Sequence, residues 1–421
     1  MPRGGAVDEL ASLKAHAEFF RQSRESGLEV EPLDRERILH ACETAYAAAR
    51  YSLPSDWLEK THFYRVVYDL EFRSSPGYPY CLASSTIGDW LGWNGVGCDG
   101  EKLEELWFDV LAFLSGERDS FYRVFIKSEP HTLAKRDAGR WRLIICPPLY
   151  EQVAWTMVFG PGNDREIETV GRTPSMQGMS LPGGLWKDWL AIFQQRGLNV
   201  AMDKSAWDWT AHEQLISMDL ELRHRLLTGP NRGRWRQLAE RLYDGAFNHP
   251  RLVLSSGAVY QQTEPGVMKS GCVNTISSNS HMQVFVHCLA CLRYGLPLTP
   301  LPVAVGDDTL SSLSNLVEPS AYRFTGAVVK EVDLDMHFVG HRWYESGPVP
   351  TYSAKHFVRF AVTGADYVPD FLDSMVRLYA HHEGFQKVWR WLAYRRGIDL
   401  PSEAFVKFWY DYPDDVIQYY G

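Results

Sequence analysis

No stretch of this chain approaches the roughly 18 consecutive apolar residues that a membrane-crossing helix needs. Its opening residues, Met1-Pro2-Arg3-Gly4-Gly5 and then charged side chains, lack the apolar core of a secretory leader. Cysteine is sparse: Cys42, Cys81, Cys98, Cys146, Cys272, Cys288 and Cys291 are odd in number and scattered, which argues against a disulfide framework. Cys288-Leu289-Ala290-Cys291 has the spacing of half a zinc site, but no second pair stands nearby, so helix packing is the better reading. There is no internal repeat, no low-complexity tract and no linker that clearly splits the chain. These absences together predict a soluble protein of a reducing compartment. Net positive charge is lacking too, since the formal charge is −9. That counts against phosphate binding over the whole surface and leaves a local basic channel open.

The 421 residues, 45% apolar and 23% charged, are ordinary for a globular protein of two or three domains, or one large multi-lobed body. Positive charge gathers in three places: Lys127 to Arg142, Arg223 to Arg241, and Lys387 to Arg396, where Trp389, Trp391 and Tyr394 are interleaved. Basic residues mixed with aromatics suit single-stranded nucleic acid, and a solvated helix face reads equally well for the last two clusters. Apolar spacing predicts helices within 7–50, at 101–115, 210–227 and 272–293, and through the last sixty residues. Strands are expected at 121–127, 140–146 and 197–203, with hairpins at 251–262 and 301–313, and a long loop region covers 71–100. The order is mixed α+β, without the βα alternation of a doubly wound sheet.

Four segments carry chemistry. In Val305-Gly306-Asp307-Asp308, two adjacent carboxylates sit at a Gly turn between apolar runs, a strong hairpin signal. Such paired acids call for a cation, and oxygen ligands at a rigid tip suit Mg²⁺; alone, the same sequence is an ordinary wet turn. A second acid, Asp203, ends the strand at 197–203, and Asp208 follows where the chain turns toward a helix, a position that also suits a helix cap. Asp203 with Asp307 would wall a two-metal site, with ions roughly 3.5–4 Å apart. Ser270, Gly271, Thr275 and Asn279 lie at the entry of a helix; Thr275 and Asn279 share a face and can hydrogen-bond a sugar hydroxyl, or merely cap the helix. Finally, Arg140-Trp141-Arg142-Leu143-Ile144 alternates as a strand does, which would place Arg140 and Arg142 on one face to grip a triphosphate, with Lys127 and Lys135 adding charge. A solvated edge strand is the plainer alternative.

These segments, in this order, resemble the motifs of positive-strand viral RNA-dependent RNA polymerases, most nearly the sobemovirus, polerovirus and barnavirus-like group. Ser74-Ser75-Pro76-Gly77-Tyr78-Pro79-Tyr80 resembles motif G, and Phe125-Ile126-Lys127-Ser128-Glu129-Pro130 with the 140–144 segment resembles motif F. Asp203-Lys204-Ser205-Ala206-Trp207-Asp208-Trp209-Thr210 resembles motif A, Gly266 to Gly271 with Thr275 and Asn279 motif B, and Gly306-Asp307-Asp308 motif C. Lys330, in Val328-Val329-Lys330-Glu331, is the candidate for the motif D lysine. Phe338-Val339-Gly340-His341 departs from the Phe-Cys-Ser-His of relatives at motif E.

The resemblance implies a right-hand fold with an antiparallel palm sheet, a small helical thumb and N-terminal segments joining the fingertips. The expected division is 1–195 for the N-terminal extension and fingers, 196–227 for palm with motif A, 228–265 for a fingers insertion, 266–345 for palm with motifs B to E, and 346–421 for the thumb. It further implies RNA-templated nucleotidyl transfer, with Asp203 and Asp307 holding two Mg²⁺ ions (Mn²⁺ as a substitute) and Asp308 as an outer or alternate ligand. Asp208 and Asn279 would read the ribose, supported by Ser270, Gly271 and Thr275. Lys127, Lys135, Arg140 and Arg142 would hold the triphosphate, and Lys330 would be the general acid. Ser74, Ser75, Gly77 and Tyr78 would touch template. The implied partners are RNA template, product duplex and NTPs, with a viral protein primer or other replication proteins as candidates, in a replication complex of the host cytoplasm. A reverse transcriptase and a catalytically silent RNA-binding scaffold are the alternatives. Against the first, Val305-Gly306 stands where an aromatic usually precedes the acids; against the second, the acids are intact.

Overall fold

The computed structural model describes residues 5–413. Its centre is an antiparallel four-stranded sheet in the order Val329–Asp333, Leu198–Lys204, Asp308–Ser312, Val303–Val305. Side chains on a strand alternate between faces, so the neighbours Ala201 and Met202 enter different apolar cores. Met202 joins the core around the helix Thr275–Arg293, which is buried along nearly its whole length. Ala201, with Leu198, Val303 and Leu310, meets Trp189 and Phe193 of the helix Leu185–Gln195. The strands Leu198–Lys204, Asp308–Ser312 and Val303–Val305 are thereby covered on both faces, while Val329–Asp333 remains a half-exposed edge.

A second sheet, in the order Leu143–Cys146, Phe121–Ile126, Arg251–Val253, Val259–Gln261, contains a parallel pair between Phe121–Ile126 and Arg251–Val253. A three-stranded meander, His337–Phe338, His341–Tyr344 and Gly347–Pro350, leads into four helices between Ser353 and Asp411. These helices close around the fully buried Trp389 and share their core with Trp186, Trp189 and Phe193. A third core gathers Phe63, Tyr80, Trp90, Leu106, Leu149 and Tyr150. Among the described residues no helix is long and apolar enough to cross a membrane.

The expected elements mostly stand, with four corrections. The helix expected from 210 begins at Glu213, after a short turn Trp207–Thr210, and that expected from 272 begins at Thr275. The 71–100 loop holds short helical turns at Tyr80–Leu82 and Ile87–Trp90. The strand expected at 140–146 begins at Leu143, so Arg140 and Arg142 do not share a strand face. The Trp141 backbone, which a ladder would have used, goes elsewhere: its N–H donates to Ser12 Oγ (3.2 Å) and its carbonyl meets His16 Nε2 (2.8 Å). Both partners lie on the N-terminal helix Ala6–Arg24. The fourth concerns the Arg223 to Arg241 cluster, where Arg225 pairs with Glu36 and Glu221, Arg236 with Glu221 and Glu240, and Arg223 is buried against Asp219.

Candidate active site

The acids converge at one end of the central sheet. Val305 pairs with Asp308 across a two-residue turn, Gly306-Asp307, in which Gly306 takes φ +62°, a backbone region that L side chains rarely adopt. Met202 pairs with Thr309, so Asp203, one residue before the end of its strand, comes beside Asp308. Asp203 and Asp307 are exposed and Asp308 half-buried. Burial, reinforced by the negative charge of Asp307 and Asp203, pushes the Asp308 carboxyl up to about 6. Lys204, 5% exposed, lies behind them; burial lowers its ammonium to about 8 against the pull of Asp307, Asp203 and Asp308. In front, Lys330 Nζ donates to Asp203 Oδ2 at 2.8 Å, and that carboxylate raises its pKa.

The turn is tied to the helix beneath it, because Gly306 N–H donates to Ser280 Oγ at 2.9 Å. One residue back, Asn279 Nδ2 donates to Asp208 Oδ1 at 2.8 Å, which joins the two expected sugar readers. Burial pushes the Asp208 carboxyl up to about 6; the Asn279 hydrogen bond opposes this, the Asp307 charge adds to it, and Arg142 and Lys127 oppose it. Arg142 and Lys127 flank Glu129 at 2.8 and 3.4 Å, forming a basic wall that Asp208 senses. Lys135 sits on a short helix, Leu133–Asp137, and Arg140 stacks its guanidinium over Phe19 of the N-terminal helix, 5.5 Å from the ring centre. Arg140 is thus drawn toward that helix rather than set beside Arg142.

The hydroxyls of Ser270 and Thr275 are engaged by backbone. Ser270 Oγ accepts from Ile145 N–H and donates to the Leu143 carbonyl, both at 3.2 Å, while Thr275 Oγ1 donates to the Lys269 and Cys272 carbonyls. Gly271 packs against the same strand, where a Cβ would strike the Ile145 carbonyl. The loop before Ser270 is held to the Asp208 turn by Val267 N–H to Ala211 O (3.0 Å) and Met268 N–H to Asp208 O (2.8 Å). Ser75 Oγ accepts from Gly77 N–H, and Tyr78 meets Phe121 edge to face, so the 74–78 loop stands beside the second sheet. Gly77 also packs on the Pro147 carbonyl, leaving no room for a side chain.

Sequence reasoning gave no role to Lys204, Ser280 or Val339. Val339 and Gly340 form a two-residue turn with φ +50° and +69°, strained for a β-branched residue, and the Val339 N–H partly offsets the rise at Asp308. Among the described residues, no three His, Cys, Asp or Glu side chains are gathered into a ready metal cage. The donor set nevertheless fits a hard divalent ion. Mg²⁺ is usually held by one or two carboxylates plus substrate phosphates rather than an all-protein cage, and Asp308, whose carboxyl is pushed up partly by the charge of Asp307 and Asp203, gains from a cation beside it.

A family model described as viral RNA-dependent RNA polymerase matches residues 19–339. The chain is 27% identical over 390 residues to Protein P2-P3 of Poinsettia latent virus, covering 81% of this chain and 33% of that protein. Over 336 residues it is 27% identical to the RNA-directed RNA polymerase of Mushroom bacilliform virus, covering 75% of this chain and 76% of that protein. Protein P1-P2 of Potato leafroll virus is 29% identical over 383 residues, covering 81% and 34%. The chain therefore spans about a third of the length of the first and third of these relatives. Among solved structures, a Sicinivirus 3Dpol RNA dependent RNA polymerase superposes with a TM-score of 0.71 at 17% identity, covering 91% of this chain and 85% of that one.

Proposed function

The chain belongs to the viral RNA-dependent RNA polymerase family, and from that premise we propose that it extends RNA on an RNA template by a two-metal nucleotidyl transfer. The right-hand polymerase fold expected from the sequence is borne out, as is the likeness to the sobemovirus, polerovirus and barnavirus-like group. One observation carries the activity: Asp203 and Asp307-Asp308, from separate antiparallel strands, meet at one sheet end beside the Asp208–Asn279 pair.

In this reading the RNA 3′-oxygen bonds to the α-phosphorus of an NTP, the α–β P–O bond breaks, and pyrophosphate leaves. Asp203 and Asp307 would hold two Mg²⁺ ions, with Asp308 as the alternate ligand. When bound, the ions supply charge neutralisation at the attacking and leaving oxygens, as Mn²⁺ also can. Lys127 and Arg142 receive the triphosphate, with Lys135 and Arg140 extending the basic wall. Positioning and neutralisation of this kind are the main protein contribution in phosphoryl transfer. Asp208 and Asn279 receive the ribose 2′-hydroxyl, on a loop shaped by Ser270, Gly271 and Thr275. Lys330 is set to deliver a proton to the leaving pyrophosphate once Asp203 is engaged elsewhere.

The loop at Ser74, Ser75, Gly77 and Tyr78 guides template. The fingers (1–195 and 228–265), palm (196–227 and 266–345) and thumb (346–421) belong to the same proposal. So do RNA duplex, a protein primer or other replication proteins as partners, and a replication complex in the host cytoplasm. The test is incorporation of NTPs on a single-stranded RNA template with Mg²⁺, with and without primer. Asp307→Ala is expected to abolish incorporation and keep the fold and RNA binding. Equal incorporation by wild type and variant would overturn the assignment.

A further inference from the structure

Asp208 and Asn279, the two side chains proposed to meet the sugar, are joined to a third. Trp207 Nε1 donates to Asn279 Oδ1 at 3.0 Å, and Asn279 Nδ2 donates to Asp208 Oδ1 at 2.8 Å. Trp207 is 2% exposed and Asn279 5%, so the bond between them has no water to replace it, while the bond to Asp208 is partly buried. An asparagine amide has two ends of similar shape and opposite chemistry, and only its partners decide which way it points. Here both partners are one-sided: an indole N–H can only donate, and an ionised carboxylate can only accept. One orientation satisfies both. The flipped amide would set N–H against N–H and oxygen against carboxylate, losing one buried and one partly buried hydrogen bond at once.

The arrangement also decides what is left over. Oδ1 of Asn279 is taken by Trp207 and one Nδ2 hydrogen by Asp208, which leaves the second Nδ2 hydrogen as a free donor. Asp208 Oδ2 makes no hydrogen bond among the described residues, which leaves an acceptor beside it. A hydroxyl donates and accepts, so it meets both; a deoxy sugar meets neither and strands the two groups. The indole itself is held by packing. It is packed in the large core with Met202, Ala211 and Met282, and its backbone carbonyl accepts from Thr210 Oγ1 and Ala211 N–H, both at 3.0 Å.

We propose that Trp207 is a specificity-determining positioning residue that sets ribose selection by locking the Asn279 amide. This rests on the reading that Asp208 and Asn279 contact the 2′-hydroxyl. Three variants are compared in primer extension with ATP and dATP: Asn279→Ala, Trp207→Phe, and Trp207 replaced by benzothienylalanine. The last keeps the indole's shape and burial while sulfur replaces the N–H, so loss of packing does not enter. The readout is the ratio of kcat/KM for ATP to that for dATP.

The expected result is a fall of about tenfold in that ratio for both Trp207 variants, the worth of one oriented hydrogen bond, and a larger fall for Asn279→Ala. A purely structural role would lower both nucleotides together and leave the ratio at its wild-type value. Two results overturn the proposal, and they are distinguishable. If Asn279→Ala loses discrimination while the benzothienylalanine protein keeps it, the lock is refuted and the ribose reading survives. If Asn279→Ala itself keeps discrimination, the ribose reading falls and the lock with it.

Discussion

Replacing His281 by glutamine should destabilise the protein in a pH-dependent way. His281 lies two residues beyond Asn279, on the helix that supports the acid turn, with Nδ1 2.6 Å from Asp219 and Nε2 3.1 Å from Glu166. All three are buried, and Arg223 completes the cluster at 3.2 Å from Asp219, giving two carboxylates and two cations. Burial opposes the imidazolium, yet Glu166 and Asp219 override it and hold its pKa up to about 9, from an ordinary 6.5. At about 1.4 kcal/mol per pKa unit, that rise is worth about 3 kcal/mol. Because the folded value is raised, the stabilisation is fully present below pH 6.5 and lost as pH climbs through about 9.

Glutamine can donate to only one of the two carboxylates and carries no charge, so breaking the cluster costs about 3–5 kcal/mol at pH 6. For a chain of this length that is roughly a 3–6 °C drop in melting temperature. Melting of wild type and His281→Gln at pH 6 and 9.5 reads the effect, and comparing the two proteins cancels the titrating groups outside this cluster. The gap should be wide at pH 6 and narrow at pH 9.5. Equal melting at pH 6, or a gap that does not change with pH, would refute the charged-imidazolium account.

Ser280→Ala removes the acceptor of Gly306 N–H and should cost about 1 kcal/mol of stability. In steady-state kinetics it should lower kcat roughly tenfold through a loosened turn while KM for NTP stays put; an unchanged kcat would show that the turn needs no such tether. If Asp208 reads the sugar as proposed, its carboxyl, pushed up to about 6, is a stronger acceptor for the 2′-hydroxyl when ionised than when protonated. The ATP-to-dATP preference should therefore weaken as pH falls through about 6, and Asp208→Asn should flatten that profile. A wild-type preference that is constant from pH 5 to 8 would remove Asp208 from sugar reading.

What the sequence disclosed was local, and what it hid was tertiary. The Gly306-Asp307 hairpin was legible because a Gly with positive φ between two apolar runs is a property of six or seven adjacent residues. Thr275 and Asn279 were legible as helix-face neighbours for the same reason, although the Thr275 hydroxyl turned out to serve its own loop. The Arg140–Arg142 strand failed because alternation says where a strand could run, and not whether its backbone partners are already taken. Ser12 and His16, more than a hundred positions earlier, took them. Within Arg223 to Arg241 the partners are mixed: Asp219 and Glu221 stand four residues before Arg223 and Arg225 on one helix, whereas Glu36 reaches Arg225 from far along the chain. Lys204 was hidden in plain view: its position next to Asp203 suggests an exposed companion, and strand alternation instead turns it inward.

The distribution of burial around the site separates chemical roles from supporting ones. Asp203 and Asp307 are exposed, so neither carboxylate bears a large desolvation cost and neither holds the fold together. The groups behind them are buried: Lys204 behind the strand tips, Ser280 bonded to the turn, and the His281–Asp219–Glu166 cluster beside the helix that carries Ser280. Removing an exposed acid deletes a ligand and leaves its neighbours solvated. Removing a buried support orphans a donor or a charge, and the lost energy appears in stability as well as in turnover. Asp307→Ala should thus separate activity from melting temperature, whereas His281→Gln should move both together. A protein in which both variants behaved alike would have its acids and their supports in one environment, contrary to the exposed tip and buried backing seen here.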